Sequence, residues 1–444
     1  MHIDTLMQAR WIIPVEPEGL VLEDHALAID AGRIVDILPN REALAQYRPA
    51  QLESLPHHAL VPGLVNAHTH AAMSLLRGVA DDRPMMDWLQ NHIWPLEQRW
   101  VGEAFVRDGT ELAMAEMIRG GVTCFNDMYF FPEITARLAI RSGIRACVGM
   151  ILVDFPSAWG SGPDDYLSKG LALHDELRNE PLVNAVFAPH APYSVADEPL
   201  LKLRTLAEEL ESPIHMHLHE TRDEIEQGRK THGMRPFKRL RQLDILGPNF
   251  IAVHMTQLTD EEIREFAETR GSVIHCPESN LKLASGFCPV AKLLDAGVNV
   301  ALGTDGAASN NDLDVLGEMR TAALLAKGVA EDARAVPAAT ALRMATLNGA
   351  KALALEAEIG SLTIGKSADI AAIRLDGIET QPLFDPISDI VYAASRHQIT
   401  DVWVAGRQLL KNRELTTLDQ EAIRDKATAW RQRLTETKQG KESP

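Results

Sequence analysis

The chain changes its hydrophobic rhythm twice. From residue 1 to about 58, apolar and polar positions alternate in short runs, as in residues 26–30 and 33–37 with Ala31-Gly32 between them. A period of two broken by a glycine turn predicts β-hairpins. Next, short apolar runs begin near Val61, Val122, Ala146, Asn184, Ile214, Phe250, Ser272 and Val298. Stretches with helical spacing lie between them, among them residues 103–119, 200–211, 260–269 and 290–296. Eight strand–helix units in about 240 residues are the size of a (β/α)8 barrel.

Beyond Leu355 the short strands return, at residues 368–373 and 399–406. They resemble the first segment more than the middle one. The reading is an α/β protein: a TIM-like barrel over residues 60–356, flanked by one small β-sandwich domain built from residues 1–59 and 357–444. Residues 419–438 form a charged helical stretch, expected as an outer brace, and residues 439–444 are expected to fray.

Composition narrows the function. The 444 residues are 45% hydrophobic, enough for a large core, and carry a formal net charge of −18. A polyanion needs a basic surface, so nucleic acid and anionic membranes are excluded as partners. Cys124, Cys147, Cys276 and Cys288 form no C-x-x-C pair and read as reduced, buried thiols. No leader pattern opens the chain and no apolar run approaches the ~18 residues of a membrane span, so a cytoplasmic protein is expected. A homo-oligomer is compatible with all of this.

Candidate chemistry gathers at the ends of the predicted strands, where barrel active sites lie. His68-Thr69-His70 closes the first. Side chains two apart on a strand point the same way, so two imidazoles leave it side by side. Alone, an H-x-H is weak, because satisfied structural histidines are common. His190 ends the fourth strand, His215, His217 and His219 lie on the fifth, His254 ends the sixth and Asp305 the eighth. Five strands delivering such groups to one rim is hard to explain by packing, since unpaired they are costly to bury. Two histidines from strand one, one from strand five and Asp305 suit Zn²⁺, with Fe²⁺ or Mn²⁺ able to use similar ligands. Spacing does not choose among the strand-five histidines, although His215 is expected one layer deeper and His219 in the following loop.

The ordered motifs Pro62-Gly63-Leu64-Val65-Asn66-Ala67-His68-Thr69-His70, His217-Leu218-His219-Glu220, Ala252-Val253-His254 and Thr304-Asp305-Gly306 resemble the amidohydrolase superfamily, in its mononuclear deaminase branch. Residues 71–82, Asp87-Trp88-Leu89 and Ile93-Trp94-Pro95-Leu96-Glu97 are similar to 5′-methylthioadenosine/S-adenosylhomocysteine deaminases. The likeness spans nearly the whole chain. It implies His68, His70, His217 and Asp305 as metal ligands, and Glu220 as the acid that protonates a ring nitrogen. His254 would stabilise the adduct, and Asp305 would take the proton of a metal-activated water. Binuclear relatives place a modified Lys at the end of strand four; His190 stands there in this sequence, implying one metal per chain. Glu97 matches a position that binds ribose hydroxyls, and His190 one that contacts substrate; Glu220 and Asp305 also belong to the substrate site. Trp88, Met85 and Met86 are candidates for an apolar wall around a 5′-thioether, although such clusters are more often plain core.

The implied reaction is hydrolytic deamination of a purine nucleoside, above all 5′-methylthioadenosine, with S-adenosylhomocysteine and adenosine as further substrates. Guanine, 8-oxoguanine or a triazine is the rival within the family; Glu97 speaks against it. A non-catalytic binding protein would lack a metal or acid residue, and none is missing. His174-Asp175-Glu176 is a chance H-x-E without the P-C-x-x-C of cytidine-deaminase-type enzymes. Between Arg145 and Arg178 the only Lys or Arg is Lys169, which leaves a homocysteine carboxylate without an obvious local partner unless Arg222 or a neighbouring subunit supplies one.

Overall fold

The computed structural model describes residues 1–439; the segment expected to fray lies almost wholly outside them. Strands β1 (His2–Ile12), β2 (Leu22–Asp30), β3 (Arg33–Pro39) and β4 (Arg48–Pro62) open the chain. The barrel strands follow: β5 (Leu64–Thr69), β6 (Val122–Asp127), β7 (Arg145–Leu152), β8 (Val183–Pro189), β9 (Ile214–Leu218), β10 (Phe250–His254), β11 (Ser272–His275) and β12 (Asn299–Leu302). Strands β13 (Ile370–Arg374), β14 (Ile399–Val404), β15 (Arg407–Lys411) and β16 (Glu414–Leu415) complete the set.

Strands β5 to β12 form one parallel sheet in sequence order. Their side chains are buried almost throughout, as helices on the outside of a parallel sheet require. β12 returns to β5 through the residues that follow it: Asp305 N–H donates to the His68 carbonyl at 3.1 Å, and Asn66 Nδ2 to Thr304 Oγ1 at 2.8 Å. The nearly closed barrel thus joins its ends at the rim where His68 and Asp305 stand.

The chain-end strands form a second, mixed sheet in the order β16-β15-β14-β13-β4-β1-β2-β3. This sheet folds over on itself, because the β2–β3 turn meets the β14–β15 turn. A Cβ on Gly32 would fall 2.5 Å from the Ala405 carbonyl oxygen, so only glycine fits there. Met7, Leu27, Ile34, Leu60, Ile370 and Trp403 fill the core between the two arms.

The apolar run near Val61 belongs to this second sheet rather than to the barrel. β4 continues to Pro62, opposite Ile370, and the first barrel strand starts at Leu64. Gly63 makes the passage, since a side chain there would overlap Thr123 of β6. A buried ion pair ties the two sheets together: Arg145 of β7 reaches both carboxylate oxygens of Asp369, at 3.1 and 3.2 Å. The last helix, Gln420–Gln439, braces the barrel helix Glu103–Arg119, with Trp430 Nε1 donating to Asp108 at 2.9 Å.

Between β5 and that barrel helix the chain makes an excursion over residues 71–101. It runs through short helical turns, one of them a wide π-helical turn at Trp88–Ile93, and ends in the helix Trp94–Trp100. Wide turns of this kind often occur at functional sites. No described helix is long and apolar enough to cross a membrane.

Candidate active site

His68, His70, His217 and Asp305 meet at the barrel rim, with one ligand-type atom from each lying within 4.8 Å of all the others. His217 Nε2 stands 3.3 Å from His68 Nε2, and Asp305 Oδ1 stands 3.4 Å from His68 Nε2 and 3.2 Å from His70 Nε2. The far nitrogens of the rings are engaged elsewhere. His70 Nδ1 donates to the Met128 carbonyl (2.6 Å) and His217 Nδ1 to the His190 carbonyl (2.7 Å), so both rings turn Nε2 toward the cluster. His68 Nδ1 meets His215 Nε2 at 2.9 Å, with Asn126 behind His215 at 3.2 Å.

The electrostatics of this group call for a cation. Burial raises a carboxyl, yet the His68 and His70 contacts hold Asp305 well below the usual range. Burial lowers an imidazole, yet the Asp305 carboxylate holds His70 up at about 9. His68, fully buried, is pushed down to about 4 by desolvation, and desolvation likewise takes His217 well below its ordinary value. Three imidazoles and one carboxylate, with ring nitrogens 3.3 Å apart and their other faces anchored, fit a single ion of the zinc type.

The other two strand-five histidines face elsewhere. His215 backs His68, and His219 accepts from the Phe237 amide at 3.0 Å, away from the cluster. Glu220 follows, buried, and desolvation raises its carboxyl. Its Oε1 lies 3.9 Å from His254 Nε2, and His254 Nδ1 is fixed by Asn280 Oδ1 at 2.9 Å. His219, His254 and Asp305 all have left-handed backbone (φ 54°, 77° and 59°), unusual for residues with side chains. Strain of this sort persists where surroundings over-determine it. Here Asp305 Oδ2 accepts from Ser279 (2.6 Å) and Ser309 (2.9 Å), and Oδ1 from the Gly306 amide (2.8 Å).

A cavity of about 820 Å³ opens from the cluster to solvent. His70, His217, Glu220, His254, Asp305, Glu97 and His190 all line it, while His68 lies behind the wall. Glu97 enters from the helix Trp94–Trp100 and accepts from Tyr129 Oη at 2.6 Å. Met85, Met86 and Trp88 line the same side. Burial, with the neighbouring His70 and His68, pushes His190 down to about 3, so at neutral pH it presents an uncharged ring. The mouth is made by Gln90, Gln98, residues 154–158 and Asp223 with Gln227.

Sequence reasoning missed several residues. Glu224 is a buried carboxylate, raised to about 8 by desolvation, that accepts from the amides of His219 (2.9 Å) and Glu220 (2.7 Å) and so positions the acid. Ser279, Asn280 and Ser309 fix Asp305 and His254. Ser279 and Asn280 stand in the run His275-Cys276-Pro277-Glu278-Ser279-Asn280 at the end of a barrel strand, so a signal existed; Glu224 reads as one more helix-surface acid.

The sequence model of the amidohydrolase family matches residues 59–409. A 5-methylthioadenosine/S-adenosylhomocysteine deaminase from Teredinibacter turnerae is 51% identical over 97% of this chain and 98% of its own. One from Saccharophagus degradans is 50% identical over 97% of each. The crystal structure of an adenosine deaminase from Xanthomonas campestris with bound zinc superposes with a TM-score of 0.97 at 52% identity, covering 98% of this chain and 99% of that one. An atrazine chlorohydrolase from Arthrobacter aurescens complexed with zinc, 24% identical, covers 96% of this chain and 99% of its own at a TM-score of 0.89, a likeness of fold alone.

Proposed function

This chain belongs to the amidohydrolase family, and we propose that it is a metal-dependent hydrolytic deaminase converting 5′-methylthioadenosine to the inosine analogue plus ammonia. The observation that carries the reading is that one cavity joins three elements: a donor set that could hold a metal ion, a buried Glu220 beside it and a second carboxylate, Glu97, in the same lining. The curated relatives at 51% and 50% identity, named for methylthioadenosine and S-adenosylhomocysteine, support the nucleoside class.

His68, His70, His217 and Asp305 would hold the ion, with zinc as the best match to the donors. When bound, such an ion supplies the Lewis acidity that activates water near neutral pH. The chain's own residues do the rest. Glu220, whose carboxyl is raised by burial, would give a proton to the purine ring nitrogen, which makes the adjacent amine-bearing carbon electrophilic. Asp305 accepts the proton that the attacking water gives up, and His254 stabilises the charge on the tetrahedral adduct. That proton returns to the amine, which leaves as ammonia, while the hydroxyl of the adduct gives up its own proton to restore Glu220 as the carbonyl forms. Glu97 accepts from the ribose diol, and His190 contacts the base or sugar as an uncharged ring.

The mouth bears on the 5′ substituent. Among the described residues lining the cavity none is Lys or Arg, while Asp154 and Asp223 stand exposed at its edge. Lys169, the cation of the loop region, is committed to the Trp159 carbonyl (2.5 Å) and to Asp165 (3.0 Å). The carboxylate of a homocysteine tail thus finds no cation among these lining residues, whereas an uncharged methylthio group needs none. The test is ammonia release by zinc-replete protein from methylthioadenosine, S-adenosylhomocysteine, adenosine, adenine and guanine. Activity on guanine with none on the nucleosides overturns the assignment.

A further inference from the structure

We propose that Tyr129 is a positioning residue for ribose recognition, setting the distance between the metal cluster and the carboxylate that accepts the sugar hydroxyls. The inference rests on the nucleoside reading above and goes beyond it, because nothing in the reaction itself requires a phenol at this place.

Tyr129 lies just past β6 and is 5% exposed, and its hydroxyl donates to Glu97 Oε1 at 2.6 Å. Glu97 belongs to a helix outside the barrel, in the excursion 71–101, so nothing in the barrel frame alone fixes its carboxylate. The residue before Tyr129 is Met128, whose carbonyl accepts from His70 Nδ1 at 2.6 Å. One dipeptide thus orients a ring of the metal cluster with its first residue and the ribose acceptor with its second. The Met128 amide is itself bonded to the Thr69 carbonyl at 2.9 Å, so the dipeptide is anchored on the strand that carries His68 and His70.

With Oε1 held by the phenol, Oε2 of Glu97 is the oxygen left for the sugar. Burial raises the Glu97 carboxyl and Tyr129 opposes that shift, favouring the ionised form that accepts from two hydroxyls. Burial together with Glu97 raises the phenol well above its ordinary value, so it stays a donor. A ribose caught at a fixed distance places the purine carbon over the cluster, and small errors in such registration are costly in rate.

The experiment uses zinc-replete protein, Tyr129→Phe, Glu97→Ala and the double variant. Methylthioadenosine is compared with its 2′- and 3′-deoxy analogues, and zinc content is measured alongside. Phe keeps the ring and its packing. The expected result is unchanged zinc, a fall of about tenfold in kcat/KM on methylthioadenosine, and a much smaller fall on the deoxy analogues. The double variant should be no worse than Glu97→Ala alone. A loss equal on ribo and deoxy substrates, a loss additive with Glu97→Ala, or no loss at all overturns the role of Tyr129. If the unaltered protein already fails to distinguish ribo from deoxy substrates, the ribose reading of Glu97 falls first and the Tyr129 proposal with it.

Discussion

At the imidazole end of the cavity every reacting side chain rides on a barrel strand or within three residues of its end, whereas another part of the lining comes from the excursion 71–101 and the loop at 154–158. The first end is held by strand pairing and by hydrogen bonds to the far ring nitrogens and to both Asp305 carboxylate oxygens, and it tolerates left-handed backbone at His254 and Asp305. The second is held by packing and by a few contacts such as Tyr129 to Glu97. The contrast separates two tasks. Bond chemistry needs atoms fixed to fractions of an ångström and is placed on the most rigid frame; choice among substrates is placed on segments that change without disturbing that frame.

If this division holds, substitutions at the first end should abolish turnover of every substrate. His68→Ala is expected to lose zinc and to lower kcat/KM by roughly 10³-fold or more, the several kcal/mol a Lewis acid contributes. Metal analysis beside the rate measurement checks it, and a variant keeping both metal and activity breaks the assignment. Glu220→Gln should keep its zinc and lose about 10²-fold or more in kcat, whatever the substrate. Near-normal turnover would remove Glu220 as the proton donor.

The other end should respond selectively. Glu97→Ala is expected to lower kcat/KM on nucleosides by about ten- to a hundredfold, as for one or two unmade hydrogen bonds to a charged group. Its activity on free adenine should stay at the low starting level. An equal loss on adenine would place Glu97 with the chemistry and erase the distinction. The smallest expected effect is a several-fold preference for methylthioadenosine over S-adenosylhomocysteine, measured as a ratio of kcat/KM values. The reverse preference would require a cation at the mouth from outside the described lining.

The same contrast decides what was legible in the sequence. The strand-borne residues announce themselves, because a period of two and a strand end turn H-x-H and T-D-G into geometry. The helices 103–119 and 260–269 were also placed by periodicity alone. β4 was not recognised over residues 48–58. Most of its side chains there are exposed, so no alternation marks it, and it is a strand because β1 pairs with it. Glu97 was found only through family likeness, as its neighbours read as an ordinary helix. Tyr129 carried no signal: its partner is 32 residues away, and the pairing exists only once the excursion has folded back over the barrel.

The sheet assembled from both chain ends has a consequence for how the protein is made. β4 takes β1 on one side and β13 on the other, and Pro62 faces Ile370, some 300 residues later. At ribosomal speeds of about 5–20 residues per second, that edge of β4 waits roughly 15–60 s for its neighbour. During this interval the nascent chain carries an unpaired strand edge, a template for pairing with other chains. A chain released before β13 is made has a complete barrel sequence but no partner for that edge, so premature termination should yield aggregates rather than a smaller working enzyme.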